Sequence, residues 1–321
     1  MKIGFYIKWS KGSLNSNSNV LGDELYGESI CHALRKVKGI KFAELYAPNY
    51  LPNEELDVMI YLNGTKPNDN WAKRHISYMQ NAYGEGSDKV LEEFQKIGYD
   101  GYAFISKKLL SMHKNSGFSG IFLPFGVDLD TFYPRKAERK YTFEVAYIGN
   151  DIKGECRTTK YLFPAVKYNF GLFGNWEIPK ARLRFWKNWR KVSEYKRIFQ
   201  KISQGKIPQE KVPVLYSNAK INLNCTAQDC VNWDVITLRT FEVLACKGFL
   251  ITDRVAVAEE TMKDCMVFTE GDEDLAEKIE YYLSHENERK IIAENGYEYV
   301  IKHASIEKRV KELYSYIEEI I

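Results

Sequence analysis

Asn218-Ala-Lys-Ile-Asn-Leu-Asn224 leads through a polar loop to Asp234-Val-Ile-Thr-Leu-Arg239-Thr-Phe-Glu242-Val-Leu-Ala-Cys-Lys-Gly248-Phe-Leu-Ile-Thr-Asp253. The short apolar run 219–224 predicts a strand. A helix is expected to start near Thr237 and run over 238–247, stopped by Gly248 as the C′ residue. The run 249–252 predicts the next strand, ending at Asp253. Strand, loop, helix and strand in this order make a βαβ unit, which belongs to a parallel sheet. The loop delivers the helix N-terminus, with its free N–H groups, to the carboxyl edge of the sheet, where an anion is favoured. Arg239 falls in the first turn and can fork onto a phosphate. Glu242 lies three residues on, on the same side of the helix, where its carboxylate can accept both hydroxyls of a ribose. Asp234, in the loop, is placed to face a sugar.

The same rhythm extends both ways. Upstream in the second half, strands are expected at 143–148, ending in Gly149-Asn150, and at 168–173, ending in Gly174-Asn175-Trp176. A short helix precedes residue 219, and downstream come a strand at 266–269 and helices at 273–283, 286–302 and 306–320. In the first half, strands are expected at 2–7, 41–46, 57–62, 75–80, 102–105 and 120–123, with helices at 24–36 and 89–97. Between the halves, Pro124-Phe125-Gly126-Val127-Asp128-Leu129-Asp130-Thr131-Phe132-Tyr133-Pro134 reads as a connector. The expected organisation is an α/β chain of two Rossmann-like domains, 1–137 and 138–304, with residues 305–321 packing back on the first. Ligands of such sheets sit beyond the carboxyl ends of strands, in the cleft between the domains.

Composition narrows the function. With 321 residues, 45% hydrophobic and 28% charged, two cores are affordable. A net charge of +3 is too small for a nucleic-acid surface. None of the six cysteines falls in a CxxC pair; Cys31, Cys246 and Cys265 read as small core residues, Cys225 and Cys230 lack the second pair of a zinc site, and a reducing compartment is expected. The opening residues 1–7 turn polar too soon for a secretory h-region, and no apolar run is long enough for a membrane helix. A cytoplasmic protein is expected, with at most peripheral membrane contact. The histidines show no metal spacing. His75 is read at a strand start and His113 in a loop. The cation-aromatic run 182–191 reads as an amphipathic surface helix.

Several of these segments resemble known sequences. The run RTFEVLACKGFLITD (239–253) is similar to the donor-site helix and strand of group 1 GT-B glycosyltransferases, closest to the branch resembling the spore maturation protein CgeB. VPVLYSNAKINLN (212–224), PFGVDLDTFYP (124–134), YIGN (147–150) and LFGNWE (172–177) resemble further pieces of the same family, in the same order. The resemblance implies a nucleoside-diphosphate sugar donor, most often a UDP-sugar, in the C-terminal domain. It also implies a saccharide or protein acceptor at the N-terminal domain, retention of configuration, and no prosthetic group or required metal. Glu242 matches the ribose-binding second Glu of the E-x7-E pattern, and Asp234 stands at its first position, one methylene shorter. Arg239 matches the residue that neutralises the diphosphate. The donor base is expected near Gly149, Asn150, Phe173, Gly174 and Asn175, with Thr237 at the helix start. Asp128 and Asp130 have the letters of a metal motif, but their place in the connector makes them structural. Asp23 and Glu24 open a helix facing the cleft. As an N-cap Asp23 would be structural; as a base it would serve an inverting enzyme. An epimerase on the same scaffold, a non-catalytic nucleotide-sugar sensor and a two-domain binding protein remain the other readings.

Overall fold

The computed structural model describes residues 1–13, 22–62, 65–80, 87–178 and 192–321. The segment 182–191 and most of the loop after the first strand, read above from the sequence, lie outside them. The first sheet is built from β1 (Lys2–Tyr6), β2 (Phe42–Tyr46), β3 (Leu56–Leu62), β4 (Ala72–Met79), β5 (Gly101–Phe104) and β6 (Ile121–Phe122). Its helices are α1 (Gly22–Arg35), α2 (Ser87–Ile97) and α3 (Lys107–Asn115). The second sheet contains β7 (Val145–Ile148), β8 (Phe170–Phe173), β9 (Ile221–Asn224), β10 (Leu250–Asp253) and β11 (Val267–Thr269). Around it lie α4 (Glu155–Leu162), α5 (Glu194–Ile202), α6 (Val212–Asn218), α7 (Gln228–Asn232), α8 (Leu238–Ala245), α9 (Ala256–Thr261), α10 (Asp272–Ser284) and α11 (Glu286–His303), and α12 (Ile306–Ile320) ends the chain.

Every pairing within the two sheets is parallel. Strand order is β2-β1-β3-β4-β5-β6 in the first and β11-β10-β9-β7-β8 in the second. Each order reverses once, beside β1 and beside β7, so each sheet opens a crevice at that point. Helices cover both faces, so the central strands are largely buried: in β3, six of the seven residues, all but Asp57, are buried. Across β1, Ile3 and Phe5 join the cluster under α1, while Tyr6 joins the opposite one.

The last helix returns to the first sheet. Ile306, Val310, Leu313 and Ile317 of α12 lie in the same buried cluster as Ile3, Phe5 and Ile30. The outgoing and returning connections run side by side. Val127 N donates to Ala304 O (2.9 Å), and Ile306 N donates to Val127 O (2.8 Å). Arg309 ties the two together by donating to Phe125 O (3.2 Å) and His303 O (2.9 Å). Gly126 permits this approach: a Cβ there would stand 2.8 Å from Ser305 O and 3.1 Å from Ile306 Cα. Gly126→Ala is therefore expected to destabilise the protein by about 1–3 kcal/mol, read as a lowered midpoint in urea. Asp128 holds a turn: it accepts from Asp130 N (2.9 Å) and Thr131 Oγ1 (2.7 Å).

Three local expectations need correction. Gly248 is not the C′ residue of α8. Lys247 takes the left-handed conformation (φ 52°) there, and Gly248 occupies the next position. Gly248 N donates to Val243 O and Lys247 N to Leu244 O, the pair of bonds of a Schellman motif. Gly248 is needed there for space, because a Cβ would lie 2.6 Å from Tyr216 O. His113 is not in a loop: it is fully buried within α3, stacked near Phe118 and bonded to Ser119 O and Gln95. His75 lies inside β4 rather than at its start, and its Nδ1 meets the Tyr61 hydroxyl (3.0 Å). Among the described residues, no helix is long and apolar enough to cross a membrane.

Candidate functional site

The crevice beside β7 holds a cavity of about 1070 Å³, ample for a nucleotide sugar. One wall is the pair of loops that follow β7 and β8. Gly149 N donates to Phe173 O (2.9 Å), Gly174 N to Gly205 O (2.9 Å) and Asn175 N to Asn150 Oδ1 (2.8 Å). Gly149, Asn150, Gly174 and Asn175 all face the cavity. Ile207, Val212 and Tyr216 add an apolar wall, and Gly22 and Leu25 at the start of α1 reach it from the first domain.

The floor is α8, with Arg239 and Glu242 side by side. Arg239 is pre-aimed: its Nη1 donates to Asn224 Oδ1 (2.8 Å), and its guanidinium lies 5.0 Å from the Tyr147 ring centroid. Asn224 is held in turn, its Nδ2 reaching the hydroxyls of Thr226 (3.2 Å), Thr252 (3.2 Å) and Thr237 (3.4 Å). Behind it, buried Asp253 accepts from Thr226 N and Oγ1 and pairs with Arg157. Burial pushes the Glu242 carboxyl up to about 7, although Arg239 and Tyr216 pull the other way.

That shift makes a two-signed prediction. A carboxyl whose pKa is raised on folding contributes stability at low pH that is lost as pH climbs from about 4.5 towards 7. A carboxylate that accepts from ligand hydroxyls must be ionised, so ligand affinity rises over that same range. Melting temperature without ligand is expected to fall with pH across this window more steeply in the wild type than in Glu242→Gln. Nucleotide affinity of the wild type is expected to rise over the same range.

Lys153, which the sequence reading passed over, stands beside this floor. Burial first, and then the charge of Arg239, hold its ammonium below the usual lysine range. The available signal was a Lys-Gly pair just past the Gly149-Asn150 strand end. Lys153 does not itself line the cavity, but its charge adds to that of Arg239 at this edge of the sheet, which favours an anion there.

The other expected residues are placed differently. The Phe173 side chain turns into the core against Tyr141 and Phe143, so it shapes the site through its backbone. Thr237 is the N-cap residue of α8, but its hydroxyl meets Asn224 instead of capping the helix. Asp234 does not line the cavity, and its carboxylate pairs with Lys108 at 2.7 Å. Asp23 is the second residue of α1 rather than its N-cap, next to cavity-lining Gly22, and burial raises its pKa. Glu24 is buried and committed to the loop after β1, accepting from Gly12 N (2.7 Å) and Ser13 N (2.9 Å).

Comparison with known proteins bears on the fold. Residues 157–315 match the family model described as glycosyl transferase-like. A search of curated proteins finds no match. Among solved structures, sucrose-phosphate synthase from Thermosynechococcus elongatus is similar over 100% of this chain and 99% of its own, with TM-score 0.70 and 14% identity. HepE of Anabaena, solved with UDP and glucose, is similar over 99% of both chains, with TM-score 0.66 and 11% identity. A mutant of T4 phage BGT in complex with UDP-glucose is similar over 99% of both, with TM-score 0.62 and 15% identity. The chain thus has the GT-B architecture of two Rossmann-like domains.

Proposed function

We propose that this protein is a glycosyltransferase that moves a sugar from a nucleoside-diphosphate sugar, with UDP the favoured nucleotide, to a hydroxyl of a saccharide or glycoprotein. The observation that carries the reading is the Arg239–Glu242 pair on the floor of a nucleotide-sized cavity at the carboxyl edge of the second sheet. The glycosyl transferase-like match spans that pair. HepE and T4 phage BGT, of similar fold, were solved with UDP or UDP-glucose.

In this reading the base lies among Gly149, Asn150, Gly174 and Asn175, and Glu242 accepts from the ribose. Arg239 and the N-terminus of α8 meet the diphosphate, and the charge of Lys153 adds to that of Arg239. In the reaction, the bond from the anomeric carbon to the phosphate oxygen breaks and the bond to the acceptor oxygen forms. The electron pair stays on the diphosphate, where the preorganised cations stabilise the developing charge. These protein cations do what a divalent ion would otherwise do, so transfer proceeds without one. With retention, the reading favoured by the family resemblance, the acceptor proton passes to the leaving phosphate. Asp23, beside the cavity with a raised pKa, is the base if configuration inverts. The likeness to CgeB over 239–253 points to a surface protein or polysaccharide as acceptor.

The test is a thermal-shift panel of UDP-, GDP-, dTDP-, CMP- and ADP-sugars against wild type, Glu242→Ala and Arg239→Ala. Stabilisation by one nucleotide, lost in both variants, supports the reading. Absence of any shift in the wild type, or equal shifts in the variants, refutes it.

A further inference from the structure

Residues 228–236 leave the second sheet after β9 and lead back into α8; Gln228 and Ile236, at the two ends, contact the second domain, whereas Cys230 and residues 232–235 contact the first. Val235 is 1% exposed within the apolar cluster that includes Ile3, Phe5 and Ile30. Trp233 packs against the clusters on both faces of the first sheet. Its carbonyl accepts from Ser106 Oγ (2.8 Å), at the N-cap of α3. In the first turn of α3, Lys108 Nζ donates to Asn232 O (3.1 Å) and pairs with Asp234 (2.7 Å). Asp234 itself sits at φ 55°, a conformation that non-glycine residues rarely adopt unless neighbouring contacts impose it.

Three residues beyond Asp234 is Thr237, and the first turn of α8 carries Arg239. The other end of α8 is fixed by the Schellman bonds at Lys247 and Gly248. The first domain therefore grips the segment that aims the N-terminal turn of this helix. We propose that residues 228–236 are a strap through which the first domain sets the position of Arg239, with Lys108 as a positioning residue for the nucleotide site. The carboxylate of Asp234 serves that grip rather than the sugar. Rotation of the first domain about the paired connections at Val127 and Ser305 pulls on the strap, so the arrangement of the domains and the aim of Arg239 change together. This deepens the donor-site reading and rests on it in one respect, that Arg239 meets the diphosphate.

Two readouts test it, with variants chosen to fold. Lys108 is half-exposed, so Lys108→Ala should leave the melting temperature nearly unchanged. Hydrogen exchange without ligand is expected to quicken over residues 236–241 in Lys108→Ala. UDP affinity, measured by calorimetry, is expected to weaken by about fivefold. Lys108→Arg, which keeps a donor for both Asn232 O and Asp234, should restore both. Unchanged exchange over 236–241, faster exchange with unchanged UDP affinity, or failure of the arginine rescue would overturn the proposal. If wild type binds another nucleotide of the panel instead of UDP, affinity is measured with that one; if it binds none, the donor reading fails, and the exchange measurement still decides whether the strap couples the first domain to α8.

Discussion

Arg239→Ala is expected to lower kcat for sugar transfer by about a hundred- to a thousandfold, the usual cost of removing one preorganised group aimed at developing charge. The reason lies in how little freedom the side chain has. Asn224 and the Tyr147 ring hold the guanidinium, and three threonine hydroxyls hold Asn224. A group fixed before the donor arrives has no reorganisation left to undergo when the diphosphate departs. Lysine is a poor substitute: an ammonium can supply the charge but cannot reproduce the planar fork that bridges Asn224 and a phosphate. Steady-state kinetics with the nucleotide sugar identified by thermal shift check this. A loss below tenfold would remove Arg239 from the reacting site.

The largest expected effect on stability is at Gly174. Its φ of 123° is open to glycine and closed to other residues, and a Cβ there would stand 2.1 Å from Gly149 O, a backbone atom that cannot swing aside. Gly174→Ala should cost about 3 kcal/mol or more, from backbone strain and overpacking together. Melting should fall by about 6 °C or more. Gly205 provides the control. It also has a positive φ (72°), but nothing lies within 4 Å of the position of its Cβ. Gly205→Ala should therefore cost about 1 kcal/mol. Equal losses in the two variants would show that the contact between the β7 and β8 loops is not what Gly174 protects. Because those loops form the wall assigned to the base, Gly174→Ala should also weaken nucleotide binding in the fraction that folds.

The strands were legible because parallel strands covered on both faces read as short, unbroken apolar runs, as Leu56–Leu62 does. Most boundaries differ by a residue or two: Phe143, for example, reads as strand but lies two residues before β7, although its carbonyl still accepts from Lys220 N (3.0 Å). The helix α4 escaped notice because Glu-Cys-Arg-Thr-Thr-Lys carries little apolar period. Its place comes instead from Tyr161 and Leu162 in the core and from Arg157 on Asp253. His113 looked like loop for the same reason, in a polar run whose few apolar residues are enough to bury one face of α3. Arg239 and Glu242 were legible because one local fact, a spacing of three on a helix, puts them together. Lys153 and Asp234 were not, because what they do depends on chain far away in sequence: Lys153 takes its setting from α8, and Asp234 answers a lysine on another domain.

The return of α12 to the first sheet bears on how the molecule is made. Ile306, Val310, Leu313 and Ile317 complete an apolar cluster whose other members are mostly encoded in the first third of the chain, and Val235 fills another part of it. As the chain emerges from the ribosome, the first sheet can pair its strands long before the residues that cover it exist. An open apolar face must wait through the synthesis of the whole second domain. In most two-domain proteins the N-terminal unit can finish folding first. Here α12, made after the whole second domain, closes the first, so the first domain stays open while the second is synthesised, and that interval is when the nascent chain is most exposed to chaperones and to aggregation.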